Sequence, residues 1–204
     1  MLYFILCWLS KRALKVFFKL KIIGVENIPR KKGCIIVSNH ISFLDPIVIA
    51  AASFRKVNFL ARQSLFKNYL FGKFLRSINV SFITRDSADI KALKKALVKL
   101  KENKVIALFP QGTRQKSWEG AKKGAGFLCQ RANVYVIPTY VKGTDKALPR
   151  GAKFIKFSPL TIYFGKAIIP SAFNSGNKKE MLQKINAEII RRIRQLQDSA
   201  ERDK

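Results

Sequence analysis

The only histidine of the chain, His40, is the residue best suited to move a proton at neutral pH. It lies in the segment N-H-I-S-F-L-D, five residues before Asp45. A neutral imidazole can accept a hydroxyl proton, and a carboxylate at its other nitrogen would fix the tautomer and stabilise the imidazolium. On one continuous helix the two side chains would point in different directions. The chain must therefore turn between them; otherwise the pattern is a surface histidine beside a helix-capping aspartate.

Three further segments follow. The first two lie at the ends of predicted strands, where open α/β sheets build their sites, and the third lies within the next predicted strand. They are F-I-T-R at residues 82–85, F-P-Q-G-T-R at residues 109–114 and V-I-P-T-Y at residues 136–140. The first two end in arginine, whose guanidinium group offers forked donors that suit phosphate oxygens. The sequence lacks G-x-S-x-G, G-x-x-x-x-G-K-[ST] and G-x-G-x-x-G motifs, which disfavours serine hydrolases, nucleotide hydrolases and dinucleotide enzymes.

The order and spacing of these four segments resemble the glycerolipid acyltransferase family, whose best-known members are the 1-acylglycerol-3-phosphate acyltransferases. The resemblance covers roughly residues 25–145, and its most specific motifs are N-H-x4-D and F-P-x-G-T-R. It implies transfer of an acyl group from an acyl thioester to the free hydroxyl of 1-acylglycerol 3-phosphate (lysophosphatidic acid), giving phosphatidic acid for phospholipid biosynthesis. In that reaction His40 would be the general base, Asp45 would orient it, and no covalent acyl-enzyme would form.

The same resemblance assigns residues that bind the acceptor. Arg85 and Arg114 match family arginines assigned to its phosphate, and Gly112 would let the backbone approach closely. Thr113 offers a hydroxyl group. Lys123, in a basic stretch after the third motif, either adds charge to the phosphate site or is one solvated lysine among many.

Gln111 departs from the family pattern, which usually reads F-P-E-G-T-R. Glutamine keeps an acceptor and adds a donor, but it carries no charge and cannot act as a base. If the family glutamate holds an acceptor hydroxyl, Gln111 can still do so; if it pairs with an arginine, that pairing is weaker here. We expect a substrate-binding role for Gln111 and a tolerated change to glutamate. Another lysophospholipid or glycerol 3-phosphate is the alternative acceptor.

The charge of the chain requires an anionic partner. Its 204 residues include 40 Lys and Arg against 12 Asp and Glu, a formal net charge of +28. Nucleic acid, an anionic membrane, an acidic carrier or a phosphorylated substrate would each suit this charge, and a lysine-biased genome would explain part of it. With the family resemblance, we expect anionic membrane lipids, lysophosphatidic acid, and acyl-CoA or acidic acyl carrier protein as partners, without nucleic acid, metal or cofactor. The alternative is a non-catalytic basic protein that binds membrane or nucleic acid, but this interpretation does not explain the His–Asp pair.

Residues 1–20 are predicted to form an amphipathic, membrane-associated helix that precedes an acyltransferase domain over residues 21–204. The apolar run at residues 1–9 is too short to span a bilayer, which takes about 20 residues, and it lacks the flanks of a secretory signal. Basic residues interleave with apolar ones up to residue 20, so the helix either lies in the membrane interface or docks on the protein's own core. We expect the interface, and a folded domain after deletion of residues 1–19. Because thioester donors are cytoplasmic, the predicted location is the cytoplasmic face of the cell membrane, as a peripheral or monotopic protein.

The rest of the chain alternates between predicted strands and helices, which indicates a single α/β domain with a mostly parallel sheet flanked by helices. Strands are predicted at residues 34–38, 57–61, 78–83, 105–109 and 134–141, with a strand pair at 154–164. Helices are predicted at 86–104, at 178–200, and at 46–52 with Asp45 as the cap. Three cysteines at unrelated spacings indicate free thiols in a reducing, intracellular compartment.

Overall fold

Helices and strands alternate along the chain, and the strands form one sheet. The computed structural model describes residues 2–62, 80–83, 88–115, 117–149, 151–152, 154–173 and 177–202. Within these ranges the helices are α1 (Leu2–Phe18), α2 (Asp45–Ala52), α3 (Ala88–Lys101), α4 (Gly124–Ala132), α5 (Thr144–Ala147) and α6 (Lys178–Arg202). The strands are β1 (Lys21–Ile23), β2 (Cys34–Ser38), β3 (Val57–Arg62), β4 (Val80–Ile83), β5 (Val105–Leu108), β6 (Tyr135–Lys142) and β7 (Thr161–Phe164).

The sheet places the carboxyl ends of five contiguous strands along one edge. The described strands lie in the order β1-β7-β6-β2-β5-β3-β4. The strands from β6 to β4 in this order run parallel, whereas β7 is antiparallel to β6 and β1 is parallel to β7. The predicted α/β domain with a mostly parallel sheet flanked by helices is therefore confirmed.

The central strand β2 has apolar side chains on both faces because helices cover both faces of a parallel sheet. Cys34 and Ile36 belong to the apolar cluster that includes residues of α1 and α2, and Ile35 and Val37 belong to the cluster with α3, α4 and α6. Cys7, Cys34 and Cys129 are free thiols. Burial raises the pKa of Cys34 to about 12.

Helix α1 packs against the domain by one face and exposes apolar side chains on the other. Leu14 and Phe18 are buried, and the Tyr3 hydroxyl accepts a hydrogen bond from the Val57 N–H over 3.0 Å. The opposite face exposes large apolar residues: Leu2, Ile5, Trp8, Leu9 and Val16. Among the described residues, no helix is long and apolar enough to cross a bilayer. The inner face is thus docked on the core, and membrane association of the outer face stays a prediction.

Two local predictions are wrong. The strand pair predicted at 154–164 forms a strand only at Thr161–Phe164, and the exposed aromatic residues before it adopt no regular structure. Asp45 does not cap the helix that follows it, because α2 begins at Asp45 itself and no side-chain cap is present. Strand β1 and helix α4 were not predicted, and residues 78 and 79 of the predicted third strand lie outside the described residues.

Candidate active site

His40 and the loop after β5 meet at the carboxyl edge of two neighbouring strands. β2 ends at Ser38 and β5 ends at Leu108, and the two strands pair directly. His40 then forms an antiparallel bridge with Gln115, whose N–H donates to the His40 carbonyl oxygen over 2.9 Å. Two motifs that are distant in sequence are thereby brought to one place.

The chain turns after His40 and returns the Asp45 carboxylate to the imidazole. Nδ1 of His40 lies 2.9 Å from Oδ2 of Asp45. The Asp45 side chain is 0% exposed and that of His40 is 17% exposed. A carboxylate at Nδ1 selects the neutral tautomer with its proton there, so Nε2 carries the lone pair. The arrangement can accept a proton from a hydroxyl group.

The buried Asp45 carboxylate accepts hydrogen bonds on both oxygens. Oδ2 accepts from the backbone N–H groups of Ile41 and Ser42, each over 2.8 Å, in addition to the imidazole. Oδ1 accepts from the Thr144 hydroxyl over 2.6 Å. An ionised carboxylate only accepts hydrogen bonds, so these donors compensate a charge that is buried away from water.

Asn39 and Thr144 support the contact between His40 and Asp45, and neither residue was among the predicted site residues. The Asn39 side chain donates to the Val141 carbonyl oxygen over 2.9 Å and accepts from the Val141 N–H over 2.8 Å. It therefore continues the pairing of β2 with β6 beyond the last residue of β2. Asn39 could have been noticed as the first residue of N-H-x4-D, whereas no spacing signal marks Thr144.

An aromatic ring fixes the plane of the imidazole. The Phe109 ring stacks on His40 with centroids 4.2 Å apart and an interplanar angle of 22°. Phe59 of β3 stacks behind Phe109 at 6.4 Å. Phe109, the first residue of the F-P-x-G-T-R motif, therefore packs beside the histidine.

The Gln111 amide joins the two motifs through backbone hydrogen bonds. Its oxygen accepts from the His40 N–H over 2.6 Å. Its NH2 group donates to the carbonyl oxygens of Gln115 over 2.7 Å and Ser117 over 3.2 Å. The side chain is nearly buried, and both of its N–H groups are engaged within the protein. The predicted contact of Gln111 with substrate stays a prediction.

Arg114 lies over an aromatic ring of the histidine motif. Its guanidinium carbon is 3.5 Å from the centroid of the Phe43 ring. A cation–π contact at this distance favours a guanidinium over the ring, and guanidinium N–H groups can donate to phosphate oxygens. The structure therefore brings Arg114 to the turn that carries His40 and Asp45.

The remaining predicted residues lie around the same loop. Gly112 has a φ of 65°, a conformation that side chains disfavour, and its N–H closes a turn by donating to the Phe109 carbonyl oxygen over 3.0 Å. Thr113 is exposed. Lys123 is exposed immediately before α4, and its neighbour Lys122 donates its N–H to the Pro110 carbonyl oxygen over 2.7 Å.

Arg85 lies outside the described residues. Strand β4 ends at Ile83, and β4 lies three strands from β2 in the sheet. Three strand spacings correspond to about 14 Å. The predicted joint action of Arg85 and Arg114 on one phosphate stays a prediction.

Tyr140, from the fourth motif, stays a neutral phenol at physiological pH. Burial raises its pKa to about 12, and nearby carboxylates, including Glu201 and Asp145, add to the effect. Among the described residues, no group of three or more His, Cys, Asp or Glu side chains could hold a metal ion.

A comparison with protein families agrees with the site described above. A family model described as Acyltransferase matches residues 19–142. This range contains the dyad, which is the pair His40 and Asp45, and the loop after β5. The chain belongs to the acyltransferase family. The prediction of an enzyme rather than a non-catalytic basic protein is therefore confirmed.

Similar proteins within this family carry the name 1-acyl-sn-glycerol-3-phosphate acyltransferase. The chain is 25% identical over 191 residues to a 1-acyl-sn-glycerol-3-phosphate acyltransferase of Bacillus subtilis, covering 91% of this chain and 94% of that protein. It is 30% identical over 144 residues to the chloroplastic 1-acyl-sn-glycerol-3-phosphate acyltransferase LPAT1 of Arabidopsis thaliana, covering 68% of this chain but only 40% of that one. The resemblance to 1-acylglycerol-3-phosphate acyltransferases is confirmed by these matches.

A solved structure has the same fold. The crystal structure of the 1-acyl-sn-glycerophosphate (LPA) acyltransferase PlsC from Thermotoga maritima superposes with a TM-score of 0.76 at 24% sequence identity. The match covers 96% of this chain and 79% of that chain. The α/β architecture of this chain is therefore shared with that solved structure.

Proposed function

We propose that the protein transfers an acyl group from an acyl thioester to the free hydroxyl of 1-acylglycerol 3-phosphate, giving phosphatidic acid. The observation that carries the proposal is the contact between His40 Nδ1 and Asp45 Oδ2 at 2.9 Å. The choice of acceptor is supported by relatives named 1-acyl-sn-glycerol-3-phosphate acyltransferase. The thioester is carried by coenzyme A or by acyl carrier protein.

In this proposal His40 is the general base. Nε2 takes the proton of the acceptor hydroxyl while the hydroxyl oxygen attacks the thioester carbonyl carbon. The tetrahedral intermediate then collapses, the carbon–sulfur bond breaks, and the imidazolium returns its proton to the leaving thiolate. The Asp45 carboxylate stabilises the imidazolium between the two proton transfers.

The acceptor phosphate binds beside the dyad. Arg114 is the described residue best placed for this contact, because it stacks on Phe43 of the same turn. A forked guanidinium matches two phosphate oxygens. Arg85, Lys123 and the hydroxyl of Thr113 are the further phosphate-binding residues in this proposal.

The protein works as a peripheral or monotopic enzyme on the cytoplasmic face of the membrane. Support comes from the outer face of α1, where Ile5 is 50% and Leu9 is 51% exposed beside the basic Arg12 and Lys15. A net charge of +28 suits an anionic leaflet, as well as the phosphates of coenzyme A or an acidic carrier protein. Because acceptor and product are amphiphiles, catalysis at the interface keeps their acyl chains out of water.

The test offers purified protein a set of acceptors with acyl-CoA or acyl carrier protein as the donor. The acceptors are lysophosphatidic acid, a zwitterionic lysophospholipid and glycerol 3-phosphate, and the products are identified by mass spectrometry. We expect phosphatidic acid from lysophosphatidic acid as the fastest reaction. Absence of phosphatidic acid with both donors would overturn the proposal, and faster acylation of another acceptor would assign that acceptor instead.

A further inference from the structure

The segment between α5 and β7 exposes three large apolar side chains together. Phe154 is 82%, Ile155 53% and Phe157 72% exposed. Residues 154–157 form the aromatic loop. Single exposed apolar residues are ordinary, but a contiguous apolar patch marks a site of interaction. The proposed reaction uses the dyad and the phosphate-binding residues, and it does not explain this patch.

The aromatic loop is continuous with the exposed face of α1. The Phe157 ring stacks on the Phe17 ring with centroids 5.5 Å apart, and it meets the Phe18 ring edge-on at the same separation. Val16, next to Phe17, is 71% exposed. The loop and the end of α1 therefore form one apolar surface.

A short chain of hydrogen bonds connects the aromatic loop to the dyad. The Lys156 N–H donates to the carbonyl oxygen of Ala147, the last residue of α5, over 2.8 Å. Thr144, the first residue of α5, donates its hydroxyl to Asp45 over 2.6 Å. One short helix thus separates the loop from the aspartate of the dyad.

We infer that the aromatic loop inserts into an anionic lipid bilayer beside α1 and so fixes the orientation of the active site at the lipid surface. The inference rests on the proposed membrane-lipid acceptor. Lysines surround the apolar surface: Lys156 lies within the loop, and Lys15 and Lys19 lie at the end of α1, all exposed. Aromatic side chains with lysines beside them suit the boundary between acyl chains and anionic headgroups.

A bilayer fits this surface better than a second copy of the chain. Each copy carries a net charge of +28, so two copies that join through lysine-flanked faces repel each other. Anionic headgroups neutralise the same lysines and attract them to the surface. The charge therefore selects the lipid as the occupant.

The aromatic loop extends the apolar surface beyond α1. Because α1 is docked on the core by its inner face, insertion of its outer face sets one side of the domain against the membrane. The loop packs on the end of α1 and is bonded to α5, so its insertion extends this contact toward the residues around Asp45 and restricts tilting of the domain. The dyad is then held facing the bilayer, from which a long-chain acceptor enters.

The test compares Phe154→Ser/Ile155→Ser with the matched double variant Val98→Ser/Ile169→Ser. Val98 is 56% and Ile169 47% exposed. Val98 lies on α3 and Ile169 follows Ile168, and both α3 and Ile168 belong to the apolar cluster on the sheet face opposite α1. Binding to phosphatidylcholine–phosphatidylglycerol vesicles is measured by co-sedimentation at about 0.5 M salt, where exposed charges are screened. We expect the loop variant to bind roughly tenfold to 100-fold more weakly and the matched variant to bind as the parent does.

A second measurement separates this inference from the proposed function. With a short-chain, water-soluble 1-acylglycerol 3-phosphate, the loop variant should turn over at the parental rate, and with a long-chain acceptor in vesicles it should be slower. Failure of the parent on the soluble acceptor would overturn the proposed function. Vesicle binding by the loop variant equal to that of the parent, or a lipid-free dimer that depends on the loop, would overturn the inference.

A fluorescent variant reports insertion directly and removes no apolar group. Phe154→Trp adds a third tryptophan to the two of the natural chain. Its additional emission should shift to the blue and be quenched by lipids with brominated acyl chains. Additional emission that does not change when vesicles are added would contradict insertion.

Discussion

The side-chain oxygen of Gln111 accepts a hydrogen bond from the backbone N–H of His40 over 2.6 Å. The same amide donates to two carbonyl oxygens of its own loop, those of Gln115 and Ser117. Gln111 therefore holds the loop that carries Arg114 against the backbone of the proposed base. Only an amide can accept on one side and donate twice on the other, because a carboxylate has no N–H groups.

The hydrogen bonds of Gln111 predict that Gln111→Glu is poorly tolerated, contrary to the expectation from the family motif. An ionised carboxylate would face two carbonyl oxygens and leave them without their donor, at a cost of about 2 kcal/mol or more. A protonated carboxyl regains one donor, so the loss in the free energy of unfolding should grow as the pH rises. Urea unfolding at acidic and neutral pH measures this loss.

Gln130→Glu is the matched control for that substitution. Gln130 also donates its amide N–H to a backbone carbonyl oxygen, that of Lys178 over 2.9 Å, but this hydrogen bond is accessible to solvent. Water can replace this donor, so the control should lose little stability. Equal stability of the two variants at neutral pH would contradict the structural role of Gln111.

Asp45→Asn should slow turnover by about 10²- to 10⁴-fold. The amide cannot stabilise an imidazolium, and an NH2 group in place of Oδ2 would confront the N–H donors of Ile41 and Ser42. Thr144→Val removes one donor and keeps the shape of the side chain, so its loss should be smaller. Initial rates at saturating substrates measure both effects, and parental turnover in Asp45→Asn would exclude its role in orienting His40.

Arg114→Lys should weaken acceptor binding without abolishing activity. The charge remains, but the fork and the stacking on Phe43 are lost. Arg114→Ala should raise the apparent KM for the acceptor further, by roughly the tenfold or more that one charge-assisted hydrogen bond contributes. Phe43→Leu should act in the same direction. A rise in the donor KM alone would assign Arg114 to the thioester side.

Deletion of residues 1–19 should destabilise the domain, contrary to the expectation from the sequence. Leu14 and Phe18 are buried against it, and loss of one buried leucine side chain alone costs about 2–5 kcal/mol. By contrast, Ile5→Gln/Leu9→Gln alters only exposed positions and should change the free energy of unfolding by no more than about 0.5 kcal/mol per site, while it weakens vesicle binding. Urea unfolding distinguishes the two, and a truncated chain as stable as the parent would mean that α1 adds nothing to the core.

The sheet could be predicted because its buried strands are continuous apolar runs. β2 was predicted with the bounds that the structure has, Cys34–Ser38, since every side chain on it is buried. The same rule failed at the aromatic loop. Its phenylalanine and isoleucine residues resemble the sequence of a strand, but they are exposed. Hydrophobicity alone does not show whether an apolar residue is buried in the core or exposed at the surface.

The candidate site could be predicted where side chains meet through a local turn. His40 and Asp45 are five residues apart, and only the geometry of the turn had to be supplied. The hydroxyl of Thr144 reaches Asp45 from 99 residues away, and the amide of Gln111 reaches the His40 backbone from 71 residues away. Such contacts depend on which strands become neighbours, and no spacing along the chain encodes that.

The most direct test of the central claim is the rate of phosphatidic acid formation by His40→Ala, with lysophosphatidic acid and acyl-CoA as substrates. Circular dichroism and vesicle binding establish that the variant is folded and reaches its substrate. If His40 is the general base, the rate should fall by about 10²- to 10⁴-fold relative to the parent while both controls are unchanged. Turnover at the parental rate would contradict the mechanism.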